Sequence, residues 1–307
     1  MYIGNKEFVS GHTYIMGILN VTPDSFSDGG KYADKDAALR HIEEMINDGA
    51  DVIDIGGEST RPGYERISEE EEIERIAPVI ESSKEHFDIP LSIDTYKPEV
   101  AEEALRLGAH LINDIWGLKG ENLKFVKKDG KILPEMASVI AKYNASCCIM
   151  HNRLMNEETL KRRTVESNTG KILATASSCE KGIPDRSIVA AVAEDLEQSL
   201  KAAYDAGIDK KRIILDPGVG FGKTYEENLG VLKYLKDICK AFDVPMLLGT
   251  SKKSVIGLTL DLGRDERTEG TLATTARAVE SGCMFVRVHE VKENARFIKM
   301  YEAILAD

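Results

Sequence analysis

The sequence predicts a single (β/α)8 (TIM) barrel over residues 1–307, with an N-terminal hairpin and an insertion in the fifth strand-to-helix connection. Three observations carry this. A short apolar run followed by an amphipathic segment recurs eight times, most of the runs end in a carboxylate, an amide or a cation, and no Pro/Gly/Ser-rich linker divides the chain. In such a barrel the residues at the C-terminal strand ends converge on one mouth, so the recurring polar endings imply a single pocket. A doubly wound open sheet shares the alternation, but no GxGxxG follows the first strand.

The elements follow in order. Met1 to Gly11, with Gly4-Asn5 as a turn signal, reads as a hairpin capping the bottom of the barrel. Strand one is Tyr14 to Leu19, followed by the polar segment that ends at Gly29-Gly30 and a helix over Asp36 to Asn47, stopped near Gly49. Val52 to Gly56 is strand two, and Ser68 with Glu71 forms a capping box for a helix running to about His86. Leu91 to Asp94 is strand three, followed by a helix with Pro98 in its first turn; Leu111 to Asp114 is strand four. A helix near Pro134 to Lys142 leads to strand five, Cys147 to Met150. His151 to Asp185 is polar and too long for an ordinary connection, which marks the insertion. The pattern resumes with a helix over Ser187 to Ala206, strand six over Arg212 to Leu215, and a helix over Glu226 to Ala241. Strand seven is Met246 to Gly249, followed by a helix over Thr271 to Glu280, strand eight over Met284 to Val288, and a last helix from Val291 to Ile304.

Composition narrows the function. A formal net charge of -12 argues against nucleic acid or an anionic membrane as a partner. Five cysteines, an odd number without CxxC spacing, support neither a disulfide framework nor a zinc site, and fit a reducing compartment. The first ten residues lack the apolar core of a signal peptide, and no apolar stretch reaches the roughly 18 residues of a membrane helix, so a cytoplasmic protein is expected.

The strand ends carry the chemistry. They supply Asn20, Asp54, Asp94, Asn113, Asp114, His151, Asp216, Ser251, Lys252, Lys253, Arg287 and His289, with Thr60 and Arg61 on the second loop. Any one carboxylate there could simply cap a helix or close a loop. Together they sort by charge. Asp94 and Asp216 beside Asn113 suit the donor-rich edge of a flat heterocycle, with Lys253 facing a ring carbonyl. Lys252, Arg61, Arg287 and His289 suit an anion. Two faces are thus implied, a polar heteroaromatic ring held deep and a phosphate-like anion at the rim. Asp216-Pro-Gly-Val-Gly-Phe-Gly-Lys-Thr224 is not a Walker A loop, because its glycines are one residue too close. They let the backbone approach a ligand, with Phe221 as a flat contact.

These residues resemble the dihydropteroate synthase family. The likeness runs from Ile15 to about Arg296, and is weakest over His151 to Asp185. It rests on Leu19-Asn-Val-Thr-Pro-Asp-Ser-Phe-Ser-Asp-Gly-Gly30, Asp54-Ile-Gly-Gly-Glu-Ser-Thr-Arg-Pro-Gly63, Ser92-Ile-Asp-Thr95, Asn113-Asp-Ile115, Asp216 to Gly222, Ser251-Lys-Lys-Ser254 and Arg287-Val-His289. The resemblance implies condensation of 6-hydroxymethyl-7,8-dihydropterin diphosphate with 4-aminobenzoate, by an SN1-like displacement releasing diphosphate. It assigns the pterin to Asp94, Asn113, Ile115, Asp216 and Lys253, and the diphosphate to Asn20, Arg287 and His289, with Asn20 also on Mg2+. It assigns 4-aminobenzoate to Thr60, Arg61, Pro62, Phe221 and Ser254. Asp94, Lys253, Phe26 and Asp28 are the catalytic set, the last two on the first loop, and sulfonamides are the expected inhibitors. A homodimer formed through the late helices is the expected assembly. Lys252 stands where the family usually has Arg, and Asn152-Arg153 follows His151 where it often has Met. Two alternatives share the barrel: a methyltetrahydrofolate–corrinoid methyltransferase, and a non-catalytic pterin carrier. The first needs neither loop motif, and the second would leave them free to degrade.

Overall fold

A computed structural model describes residues 1–22, 30–58, 66–119, 124–128, 130–153 and 185–306, with the backbone alone at 30–34 and 128. The eight barrel strands are β3 (Tyr14–Asn20), β4 (Val52–Gly56), β5 (Leu91–Asp94), β6 (Leu111–Asp114), β9 (Ser146–Met150), β10 (Ile213–Asp216), β11 (Leu247–Leu248) and β12 (Phe285–Val288). They form one parallel sheet in the order β10-β9-β6-β5-β4-β3-β12-β11. A parallel bridge between Leu215 and Met246 joins its two edges, so the sheet closes on itself. Covered on both faces, the strands are almost continuously apolar, as β4 (VIDIG, every residue buried) illustrates.

Around the sheet lie α1 (Gly30–Asp48), α2 (Glu69–His86), α3 (Pro98–Leu107), α4 (Glu135–Lys142), α5 (Ile188–Ala206), α6 (Tyr225–Lys233), α7 (Leu235–Lys240), α8 (Ser254–Leu260), α9 (Thr268–Ser281) and α10 (Val291–Leu305). Their ends follow local chemistry. Ser68 Oγ accepts from Glu71 N ahead of α2, but the Glu71 carboxylate meets Arg75 instead of closing the predicted box. The complete capping box is Thr224 with Glu227, opening α6. The helix predicted over Glu226 to Ala241 is two helices. Arg277 donates to the carbonyls of Leu232 and Lys233 at 2.9 and 2.7 Å, occupying acceptors that a continuous helix would have used.

The hairpin of β1 (Tyr2–Ile3) and β2 (Lys6–Glu7) seals the N-terminal end of the barrel. Ile3 and Phe8 pack, fully buried, on Met16, Val52, Leu111, Cys148, Ile214, Leu247 and Phe285, most of which open their strands. A second hairpin, β7 (Phe125–Lys128) with β8 (Lys131–Pro134), stands in the fourth connection. Its sequence signal is Asp129-Gly130, with Gly130 at φ +80°. The fifth connection separates Met150 from Ile188; residues 154–184 of it, with Cys179, lie outside the described residues. The other four cysteines are buried or half-buried, as small apolar residues. Among the described residues no helix is long and apolar enough to cross a membrane.

Candidate active site

At the C-terminal end of the barrel a cavity of about 320 Å³ brings together twelve of the residues singled out above, Ser251 and Lys252 among them. Asn20 ends β3, Asp94 ends β5, Asn113 lies in β6 with Ile115 just beyond, and Asp216 ends β10. Phe221 follows β10, Lys253 and Ser254 open α8, and Arg287 and His289 come from the end of β12. Phe26, Asp28, Thr60, Arg61 and Pro62 lie outside the described residues.

Burial sets the electrostatics of the floor. Asp94 Oδ2 accepts from Arg287 Nη2 at 2.7 Å, while the buried Oδ1 has no hydrogen-bond partner among the described residues. Burial pushes the Asp94 carboxyl up to about 7, with Arg287 pulling it down and Asp54 pushing it further up. Asp216 Oδ1 accepts from Gly218 N at 2.7 Å, and burial raises this carboxyl too, against the attraction of Lys253. Burial lowers the Lys253 ammonium to about 8, opposed by Asp216. Lys253 Nζ donates to Val219 O at 2.6 Å and lies 4.7 Å from the centre of the Phe221 ring, which holds both side chains in place. Burial weakens the charge on Arg287, but Asp54 and Asp94 more than restore it. His289 Nδ1 meets Ser251 Oγ at 2.9 Å.

The loop after β10 requires its glycines. At φ +66°, a Cβ on Gly218 would lie 1.9 Å from the carbonyl oxygen of His151. Gly220, at φ +84°, packs against the Lys253 stem, where a Cβ would come within 3.2 Å of Cδ.

Several strand-end residues serve other ends. Asp114 accepts from Trp116 N and Leu118 N at 2.8 and 2.7 Å, closing its own loop, and burial raises it to about 6. His151 is buried behind the cavity, its ring lowered to about 2, first by burial and then by Lys223. Lys252 lines the cavity, but its ammonium pairs with Glu290 at 2.5 Å and its backbone sits at φ +57°. Arg264, Arg267, Ile18 and Met150 line the cavity without having been anticipated. Arg267 spends its donors on the Leu262 and Lys252 carbonyls. Both arginines come from a connection with no strand-end signal, so no periodicity could have found them. A further charged cluster stands at the stems of the second loop. Lys97 Nζ reaches Glu58 and Glu72, each at 2.7 Å, and Ile67 O at 2.8 Å.

The chain matches the pterin binding enzyme family over residues 16–289. It is 50% identical to the dihydropteroate synthase of Clostridium beijerinckii, across 99% of both chains. The chain belongs to the dihydropteroate synthase family. Its likeness to the Bacillus subtilis dihydropteroate synthase is 48%, over 95% of this chain and 89% of that one. A crystal structure of the Clostridium difficile dihydropteroate synthase in the presence of pteroic acid superposes with a TM-score of 0.80 at 44% identity. The match covers 98% of this chain and 100% of that one. A Yersinia pestis dihydropteroate synthase in complex with a sulfonamide drug gives 0.79 at 33% identity, covering 99% and 98%.

Proposed function

We propose that the chain catalyses the dihydropteroate synthase reaction, joining 6-hydroxymethyl-7,8-dihydropterin diphosphate to 4-aminobenzoate with release of diphosphate. The observation that carries this is the division of one cavity into a deep acidic floor and a cationic side, in a chain of this family. Asp216, Asn113 and Lys253 match the alternating donors and acceptors of a pterin edge, with Ile115 as an apolar wall. Asp94 lines the same space, and its buried Oδ1 has no hydrogen-bond partner among the described residues. In this reading it stabilises the positive charge left on the exocyclic methylene as the C–O bond breaks. Arg287, His289 and Asn20 hold the departing diphosphate. The aryl amine of 4-aminobenzoate, set by Phe221 and Ser254 with Thr60, Arg61 and Pro62, then attacks the methylene and loses its proton. The SN1-like order suits a weak neutral nucleophile, and no covalent enzyme intermediate is required. Phe26 and Asp28 belong to the first loop, which on this reading closes over the site and excludes water.

Mg2+ is part of the proposal. The Asn20 amide oxygen and the Asp94 carboxylate flank Gly56, whose added Cβ would lie 3.8 Å from Asn20 Oδ1 and 3.9 Å from Asp94 Oδ2. One amide oxygen, with substrate phosphates and water, fits a hard cation that keeps much of its hydration. Bound there, the ion would add positive charge beside the leaving diphosphate. We also read the assembly as a cytoplasmic homodimer joined through late helices. The exposed Met300, Ile304 and Leu305 of α10 support an apolar contact there, and light scattering tests it.

A coupled assay of diphosphate release, with and without 4-aminobenzoate and Mg2+, tests the reaction. Release dependent on 4-aminobenzoate, with dihydropteroate as product, is expected; purified protein yielding none would refute it. Sulfonamides should inhibit, and added 4-aminobenzoate should relieve them.

A further inference from the structure

Asp54 lies in β4 beneath the cavity floor and does not line the cavity. It is fully buried. Ser92 Oγ of β5 donates to its Oδ1, while Oδ2 accepts from Asn113 Nδ2 of β6 at 3.1 Å and from Arg287 Nε of β12 at 2.5 Å. One carboxylate thus joins four of the eight barrel strands, counting its own. An apolar side chain of similar volume would avoid the desolvation cost of a buried charge, so Asp54 calls for an explanation other than stability.

We infer that Asp54 is a positioning residue that sets Asn113 for the heterocycle and Arg287 for the anion, giving the two halves of the site one shared support. This rests on the reading above that those two residues touch the substrate. An ionised carboxylate only accepts hydrogen bonds, so the Asn113 amide must turn its NH2 toward Asp54. Its Oδ1 is then the atom left to accept from a ring N–H. The same carboxylate takes Arg287 Nε, and Asp94 takes Nη2, which fixes the guanidinium plane from two sides. Without the charge at position 54 the amide can flip, and the arginine can swing onto Asp94, covering an acceptor the ring needs. Asp54 thereby controls the ring-binding edge without contacting the ring.

The test is Asp54→Asn, a near isostere that removes the charge. Steady-state kinetics should show the KM for the pterin diphosphate raised about tenfold, as for loss of one charge-assisted hydrogen bond. The KM for 4-aminobenzoate should stay within about twofold, because neither Asn113 nor Arg287 belongs to that subsite. Affinity for 6-hydroxymethylpterin, read by fluorescence titration, should fall in parallel. In an Asn113→Ala background the same substitution should change that affinity by less than about threefold, since the amide route is gone and only the route through Arg287 is left. Equal rises in both KM values, unchanged pterin affinity in a folded variant, or additive effects in the cycle would each overturn the inference. Should Asp54→Asn fail to fold, Ser92→Ala carries the test. It removes one donor from the carboxylate and should raise the pterin KM alone, by about twofold; an unchanged value overturns the inference. Wild-type protein that binds neither 6-hydroxymethylpterin nor the diphosphate substrate would refute the reading of the site itself, and this inference with it.

Discussion

The two ends of the barrel are built from the same strands by opposite rules. At the N-terminal end Phe8, Met16, Val52, Leu111, Cys148, Ile214, Leu247 and Phe285 meet with no charged side chain among them, and Phe8 stacks edge-on against Tyr14 at 4.8 Å. At the C-terminal end Asp54, Asp94 and Asp216 share their space with Lys253 and Arg287. Burying apolar area stabilises the first end, by about 25 cal/mol per Å². Burying ions costs stability at the second, and the cost appears as carboxyls pushed up and an ammonium pushed down. The bottom thus holds the fold together, while the top is held in a state it would not adopt alone.

Substitutions at the two ends should therefore separate function from stability. The largest effect is expected from Asp94→Asn, lowering kcat by about 10²–10³-fold, as for loss of one preorganised electrostatic group. At pH 8 thermal unfolding of this variant should occur no lower than in wild type, because the ionised carboxylate it replaces is disfavoured by burial. A large drop in melting temperature would collapse the distinction between the two ends. Phe8→Ala should do the reverse, reducing the unfolding free energy by about 3–5 kcal/mol in urea titrations with both KM values unchanged. Lys97→Met tests charge placed outside the cavity. It leaves Glu58 and Glu72 buried without their cation, and should cost about 3 kcal/mol. Adding Glu58→Gln and Glu72→Gln should recover much of that loss.

The smallest effect is a slope. His151 is held neutral in the fold, with its pKa lowered to about 2, while the unfolded chain binds a proton below 6.5. Its contribution to stability is complete above pH 6.5 and declines as pH falls toward about 2. Asp94 acts in the opposite sense, binding its proton near 7 in the fold and near 3.8 unfolded, so stability rises as pH falls between those values. His151→Gln should therefore flatten the acid loss by about 1–2 kcal/mol between pH 6.5 and 5, measured as the difference from wild type. An unchanged difference would show that the imidazole is hydrated in the fold.

Most of the frame was legible because period and punctuation are local. Leu91 to Asp94 and Leu111 to Asp114 are strands with the predicted bounds, since each is an apolar run ending in a carboxylate. The break between α6 and α7 was not legible, because it depends on Arg277, which is more than forty residues away in sequence. The β7–β8 hairpin is marked in the sequence by the Asp129-Gly130 pair alone, without an alternating apolar pattern on either side. Asp94, Asn113 and Asp216 could be picked out together because the barrel brings every strand end to one mouth. Arg264 and Arg267 could not, as their position depends on how the segment after α8 folds back over the rim.

By itself, the sequence determined the barrel, the order of its units and the set of polar residues at its mouth, because these follow from hydrophobic period and residue type. Tertiary structure alone decided which of those residues face the cavity. Asp114 and His151 end or follow strands just as Asp94 and Asp216 do, and Asp54 lies mid-strand in β4, yet Asp54 braces the floor, Asp114 closes a loop and His151 is buried away from the cavity lining. The reason is physical: a side chain's role depends on which donors reach it and how much water it keeps, and both are set by residues distant in the chain.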